Sequence, residues 1–305
     1  MPVFDHLLRF TPIYQTRVWG GRALETLFGR DLPDDQPYGE SWELVDRPEA
    51  QSVVGGGALA GTSLHALWHD HRRAVFGDAV RRPEAPRFPV LIKILDCRDD
   101  LSIQVHPPAA VAPSLGGEPK TEMWFVADAQ PGARIYAGLR AGVTRERFDA
   151  ALREGAVADC VHRLSPRAGD SLFVPSGRIH ALGAGLVVFE IQQNSDTTYR
   201  VFDWNRAGLD GKPRALHVRE SLASIDFDDV EPALHHDATV LAECEDFRVT
   251  RAQTGAAAPP GIGRLIMPIA PTTWAGTSLR VGDLALCPAS ATLPPPEGEW
   301  LEVQY

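Results

Sequence analysis

Twenty-five prolines and 27 glycines are dispersed through this chain of 305 residues, lying between short apolar runs with no low-complexity tract. Proline breaks a helix interior and glycine weakens one, so breakers at this spacing leave room for many short strands and few helices. The runs are rich in β-branched and aromatic residues: 89–95 (PVLIKIL), 101–105, 123–126, 171–174, 186–192 and 198–202. They read as strands. Helical spacing is confined to 63–75, where Thr62 or Ser63 can cap, to 144–154, with Thr144 as cap and Phe148 and Leu152 on one stripe, and to 218–225. An acidic stretch (DFDDVE, 226–231) and Pro232 follow the third of these. The pattern predicts a mainly β protein with a few peripheral helices, divided into a larger domain, 1–228, and a smaller β domain, 229–305.

Apolar residues make up 44 % and charged residues 23 %, which excludes disorder and a fibre. A net charge of −10 repels phosphate backbones and anionic lipid, so neither nucleic acid nor a membrane surface is an expected partner. A site for a small anion must then be a local basic pocket, which makes each buried Lys or Arg informative. Cys97, Cys160, Cys244 and Cys287 show no CxxC spacing and read as reduced thiols rather than a disulfide framework or zinc ribbon. No apolar stretch reaches about 18 residues, and Asp5, His6 and Arg9 interrupt any leader-like start, so a cytoplasmic protein is expected.

The most specific motif is GDSLFVPSGRIH, 169–180, with the spacing G-x5-P-x-G-x2-H. A Gly-Asp turn starts a strand, Pro175-Ser176-Gly177 makes a turn in which Gly177 can take positive φ, and the chain re-enters the sheet with His180 directed inward. This resembles the second motif of the cupin superfamily, with Ala184 in place of the final Asn. Segments 167–176 (RAGDSLFVPS) and 280–289 (RVGDLALCPA) form a weak internal repeat whose second copy has no histidine after its proline. A duplicated β unit without metal ligands in the second half is the expectation.

Gln104 and His106 stand at i and i+2, as do Lys120 and Glu122, so each pair projects from one face of its strand. With His180 they offer two imidazoles, a carboxylate and an optional amide oxygen. That donor set suits zinc with an open position, and it equally suits non-haem Fe(II). A lone histidine on an apolar strand is often a satisfied core residue, but a buried Glu122 beside Trp124 needs a partner. His65, His69, His71, His235 and His236 lie in polar or linker segments and read as non-functional; His162 and His217 lean structural. Arg200, between Tyr199 and Val201, needs an anion, either Asp196 or Asp203 or a ligand phosphate. Lys93, inside PVLIKIL, needs a partner or must titrate.

Taken together, RVWGG (17–21), GESWEL (39–44), FPVLIKILD (88–96), LSIQVHP (101–107), KTEMWF (120–125), VPSGRIHALG, QQNSDTTYRVFDWNR and RALHV (214–218) are similar to class I phosphomannose isomerases (mannose-6-phosphate isomerases) in their shorter bacterial form. The last 80 residues match loosely, and the loop 108–119 is longer than in the pattern. The resemblance implies a cupin jelly-roll barrel with a second, smaller cupin-like β domain, one Zn²⁺ per chain, and interconversion of mannose 6-phosphate and fructose 6-phosphate. It places the metal ligands at His106, Glu122 and His180 with Gln104 added, the catalytic arginine at Arg200, and proton transfer or substrate handling at Lys93, Lys120 and Asp196. Such chemistry requires a base at C2, an acid-base group for the oxygens and stabilisation of an enediolate. The base stays open among Lys120, Glu190 and Asp196. A cupin Fe(II) oxygenase, an isomerase of another phosphosugar and a non-catalytic sugar-binding cupin are the competing expectations; Lys93, Lys120 and Arg200 speak against the oxygenase. Oligomeric state is not legible in the sequence.

Overall fold

The computed structural model describes residues 4–305; residues 1–3 of the expected first domain lie outside the described ones. In chain order the strands of the larger part are β1 (Ile13–Gly21), β2 (Tyr38–Leu44), β3 (Asp46–Arg47), β4 (Ala50–Gln51), β5 (Val90–Cys97), β6 (Ile103–Val105), β7 (Glu122–Ala129), β8 (Ile135–Leu139), β9 (Val161–Leu164), β10 (Ser171–Val174), β11 (His180–Leu182), β12 (Leu186–Gln193) and β13 (Tyr199–Phe202). After residue 229 come β14 (Val240–Glu243), β15 (Arg248–Gln253), β16 (Arg264–Pro268), β17 (Thr272–Trp274), β18 (Thr277–Leu279), β19 (Ala285–Cys287) and β20 (Glu299–Gln304). Among the described residues five α-helices accompany them: α1 (Ala23–Thr26), α2 (Leu64–Asp70), α3 (Arg72–Val75), α4 (Arg145–Glu154) and α5 (Val218–Ser224). None is long and apolar enough to cross a membrane.

Two antiparallel sheets face each other as a cupin jelly roll. One has the order β1-β2-β5-β12-β7-β10, the other β13-β6-β11-β8-β9, and a third, β14-β15-β20-β16-β19, is built by the C-terminal part. The expected strands are all present: 171–174 has the expected ends, and the others differ by at most three residues at either end. The expected 63–75 helix divides: Ser63 caps α2 through Ala66 N–H, but His71 leaves helical geometry (φ −131°, ψ 20°) and α3 restarts after it. Thr144 caps α4 as expected, accepting from Arg147 N–H at 3.3 Å.

The long apolar runs reflect sheets buried on both faces, where strands do not alternate with polar residues. In β5, Ile92 and Ile94 join one core while Leu95 and Cys97 turn to the other; in β12, Phe189 and Ile191 oppose Leu186 and Val188. The first core lies outside the six-stranded sheet and is shared with Val249, Leu265, Leu301 and Val303 of the C-terminal sheet. The second fills the space between the two facing sheets. A third packs α4 and α5 on the outside of the five-stranded sheet through Phe148, Val105, Val201 and Ile225. Each fully buried Val, Leu, Ile or Phe contributes about 1.5–3 kcal/mol, so the fold's stability is concentrated in these layers. Among the charges buried in these strands, Lys93, Glu122 and Glu190, with Glu40 beside Lys93, mark where the site will be.

The internal repeat has a structural counterpart. Arg167 N–H donates to Asp170 Oδ2 at 2.9 Å and Arg280 N–H to Asp283 Oδ2 at 3.0 Å, so one Asp-closed turn leads into β10 in the first half and into the β19 segment in the second. Trp68, Phe76, Phe88 and Tyr305 join the helical segment, the start of β5 and the C-terminal strand, with ring separations of 4.8–5.7 Å. Trp68 is fully buried and its indole donates to Ala85 O at 2.9 Å. Trp68→Ala therefore empties a closed cluster and should cost about 3–5 kcal/mol, read as a lower urea midpoint; a loss below about 1 kcal/mol would contradict this packing.

Candidate metal centre and active-site cavity

Four expected residues converge between the facing sheets. His180, on β11, lies opposite Gln104 of β6 in register, and His106 follows β6 directly. Glu122 enters from the other sheet at the start of β7, opposite Val174 and Gln192. The turn that returns the chain to His180 has Gly177 at φ +97°, as its spacing requires, and Gly177 N–H donates to His106 O at 2.8 Å. His106, Glu122 and His180 are each about 1 % exposed. One donor atom from each lies within 4.8 Å of the other two.

The protonation of this cluster follows from its outer partners. His106 Nδ1–H donates to Thr197 O at 2.8 Å and His180 Nδ1–H to Arg178 O at 2.9 Å; a carbonyl can only accept, so both protons are on Nδ1. Both Nε2 lone pairs then point inward, His106 Nε2 at 3.1 Å from Glu122 Oε1 and His180 Nε2 at 3.9 Å from Oε2. These are acceptors facing acceptors. Among the described residues His106 Nε2 and both Glu122 oxygens have no hydrogen-bond partner of good geometry, although the Lys120 ammonium stands 2.9 Å from Oε1 as a neighbouring charge. Burial, reinforced by Lys120, lowers His106 to about 3, so its imidazole is neutral at pH 7. Burial alone would raise Glu122, but Lys120 and His106 outweigh it and hold the carboxyl well below its ordinary range. Two neutral imidazoles and a carboxylate with no proton among them fit a divalent cation. Gln104 Nε2 lies 3.3 Å from His180 Nε2, and a half-turn of the amide brings its oxygen to the same point.

Beside the cluster opens a cavity of about 410 Å³ lined by Gln104, Lys120, Lys93, Glu190, Asp196 and Arg200, and also by Arg17, Glu40 and Arg214, to which the sequence reading gave no role. Lys93, on β5, stands opposite Glu190 of β12 and Trp42 of β2. Its ammonium is 3.7 Å from Glu40, 3.7 Å from Glu190 and 3.9 Å from Asp196, and 5.0 Å from the Trp42 ring centre. The partner its sequence position demanded is thus a set of three carboxylates. Glu190 also accepts from Trp124 Nε1 at 3.0 Å; burial, with Glu122 adding to it, raises its carboxyl to about 7. Burial opposes the Lys120 ammonium, yet Glu122 and Glu190 hold it above its ordinary value. Lowering it, as proton exchange asks, requires positive charge beside Glu122.

Arg200 resolves differently from the ion pair weighed for it. Asp196 sits by Lys93, and Asp203 is taken by Arg206 and Arg214. Among the described residues Arg200 has only Ala215 O, at 2.9 Å, and its Nε is buried without a partner. The long loop 108–119 is fastened next to it, Tyr199 O–H donating to Leu115 O and Glu118 N–H to Thr197 Oγ1. Of the histidines read as non-functional, His235 and His236 lie where the connecting segment is fastened to the first jelly roll: His236 Nδ1–H donates to Asp170 at 2.5 Å, and His235 bridges Ser171.

Glu40 is a buried charge of the cavity wall to which the sequence reading gave no role. It accepts from Arg17 Nε at 2.9 Å and Nη2 at 3.0 Å, and from Trp42 Nε1 at 2.6 Å. Burial works against its charge, but Lys93 and Arg17 prevail and lower the carboxyl from 4.5 to about 2. A depressed folded value stabilises the fold above the ordinary value and is lost as pH falls toward the folded one. Glu40→Gln should therefore be less stable than the parent at pH 7, with the gap in urea midpoint closing between pH 4.5 and about 2. A gap that persists unchanged through that window would be inconsistent with this ion pairing.

The catalytic domain of type I phosphomannose isomerase matches residues 7–116. Mannose-6-phosphate isomerase ManA of Bacillus subtilis (strain 168) is 39 % identical over 252 residues, covering 79 % of this chain and 78 % of that protein. This chain belongs to the type I phosphomannose isomerase family. The probable mannose-6-phosphate isomerase GmuF of the same organism is also 39 % identical, over 72 % of this chain and 68 % of its own length. Among solved structures, the mannose 6-phosphate isomerase of B. subtilis superposes with a TM-score of 0.85 at 28 % identity, covering 98 % of this chain and 99 % of that one. An Archaeoglobus fulgidus structure described as a putative mannosephosphate isomerase shares the fold, at TM-score 0.77 and 22 % identity. Family membership agrees with a metal-type cluster facing a cationic cavity, which is the arrangement the residues build here.

Proposed function

We propose that this chain is a zinc-dependent, cytoplasmic isomerase that interconverts mannose 6-phosphate and fructose 6-phosphate through an enediolate. The observation that carries the reading is the cluster of proton-free donors His106 Nε2, Glu122 and His180 Nε2, beside a cavity walled by Lys93, Lys120 and Arg200. His106, Glu122 and His180 would hold the ion, with Gln104 Oε1 as a further donor. When bound, zinc supplies Lewis acidity to the oxygens of the open-chain sugar.

The chain's own groups do the rest. Lys120, 2.9 Å from Glu122, would move a proton on or off a substrate oxygen. Lys93, Glu190 and Asp196 form a charge-sharing set in which one carboxylate takes the C2 proton while Lys93 keeps the neighbouring charge tolerable. Arg200, without a carboxylate of its own, faces the cavity as a donor for the phosphate or for developing oxyanion charge. The cavity volume is within the range of small-molecule sites, about 300–1,000 Å³. The C-terminal part, 229–305, is read as a cupin-like domain without metal ligands that braces the sheet carrying these residues.

Chelation tests the proposal. Treatment with EDTA should abolish the conversion of mannose 6-phosphate in an assay coupled to fructose 6-phosphate, and added zinc should restore it. Metal-replete protein that leaves mannose 6-phosphate untouched would reject the substrate; bound iron with oxygen uptake would point to an oxygenase.

A further inference from the structure

The cavity's cations are not equally available. Arg17 is held by Glu40, Lys93 by three carboxylates, and Lys120 by Glu122. On the side formed by β13 and the segment that follows it, the balance is different. Asp203, 6 % exposed, accepts from Arg206 Nε at 3.2 Å and Nη2 at 3.1 Å, and from Arg214 Nε at 2.7 Å and through a second, short contact with Arg214 Nη2. Arg206 has a further, exposed partner in Asp99 at 3.5 Å. Arg200, on the same wall, has none among the described residues. Two guanidiniums thus share one buried carboxylate while the third, Arg200, has none, and Arg200 and Arg214 line the cavity.

We propose that Asp203 is a positioning residue: by gripping Arg214 along one edge it holds that guanidinium at the cavity wall beside Arg200, so that the pair receives a phosphate monoester dianion. The inference rests on the reading of the chain as a phosphosugar isomerase and adds to it which groups take the phosphate and what places them. A guanidinium bound along Nε and one Nη keeps its remaining N–H groups free in a fixed plane, the form suited to phosphate oxygens. Burial, with Arg214 adding to it, holds Arg200 below its ordinary pKa, as expected where cations lie close without enough counter-charge. A dianion supplies that counter-charge.

Asp203 can act by orientation or merely by its charge, and the two roles give opposite results. If it only neutralised its neighbours, removing its charge would strengthen phosphate binding; if it positions Arg214, binding weakens. Inorganic phosphate titrated calorimetrically into zinc-loaded protein reads this without turnover. Asp203→Asn should weaken phosphate binding about tenfold and raise KM for mannose 6-phosphate by a similar factor, with kcat within about twofold of the parent. Arg214→Gln should match it, and combining the two changes should add little. Unchanged or tighter phosphate binding in Asp203→Asn overturns the proposal. Should that variant not fold, Arg214→Gln decides: a parent-like phosphate affinity and KM would overturn it. A parent protein that binds phosphate, with the loss described in the two variants, but never isomerises mannose 6-phosphate would reject the functional reading and leave the phosphate site standing.

Discussion

Glu122→Gln should give a folded protein that no longer retains zinc and turns over mannose 6-phosphate at a rate lower by about three decades, since a bound cation contributes several kcal/mol of charge stabilisation and about 1.4 kcal/mol is one decade. The amide keeps the volume of the carboxyl at a position about 1 % exposed, so packing between the sheets is preserved. What changes is the donor set: a negative oxygen facing two imidazole lone pairs becomes a neutral group with an N–H to offer His106 Nε2. Metal analysis of the purified variant, together with a thermal melt with and without added zinc, reads the result. Retention of stoichiometric zinc would show that the ion is held elsewhere, because the two histidines alone supply no charge to balance it.

Lys120→Met separates chemistry from metal binding at the neighbouring position. The ammonium, 2.9 Å from Glu122 Oε1 and 4 % exposed, offers no lone pair while protonated, so zinc content should equal that of the parent. Loss of a positioned acid-base group costs typically about 10²–10⁴ in kcat, and that range is expected here. Methionine matches the length of the stem and avoids leaving a hole. A variant that loses its zinc together with its activity would make Lys120 a structural partner of Glu122, and proton transfer would pass to another group.

Much of this site was legible because each sheet is covered on both faces. A strand buried twice reads as an unbroken apolar run, so Lys93, Glu122 and Glu190 stand out as charges where none should be free, and the i, i+2 pairs at 104/106 and 120/122 give their direction. The turn motif fixed His180 through the backbone need for Gly177. Less legible was the strand β2, whose tyrosine, glutamates and serine read as polar although every residue in it is buried. Glu40 went unassigned because its partners, Arg17 on β1 and Lys93 on β5, are 23 and 53 positions away. Arg214 was hidden for a similar reason: it lies in an irregular segment without periodicity, and only the fold brings it to Asp203. The break at His71 depends on backbone angles that a helical apolar stripe does not report.

The core shared by the six-stranded sheet and the C-terminal sheet bears on how such a chain can be recombined. Ile92, Phe189, Leu265 and Val303 interlock as one layer, and Leu8 bridges Leu286 while Gly77 bridges Ile262 across it. Chimeras that graft a relative's C-terminal part onto this larger N-terminal part must match side-chain volumes along that whole seam. The graft will then succeed or fail on residues remote from the His106, Glu122 and His180 cluster, even when both parents perform the same reaction.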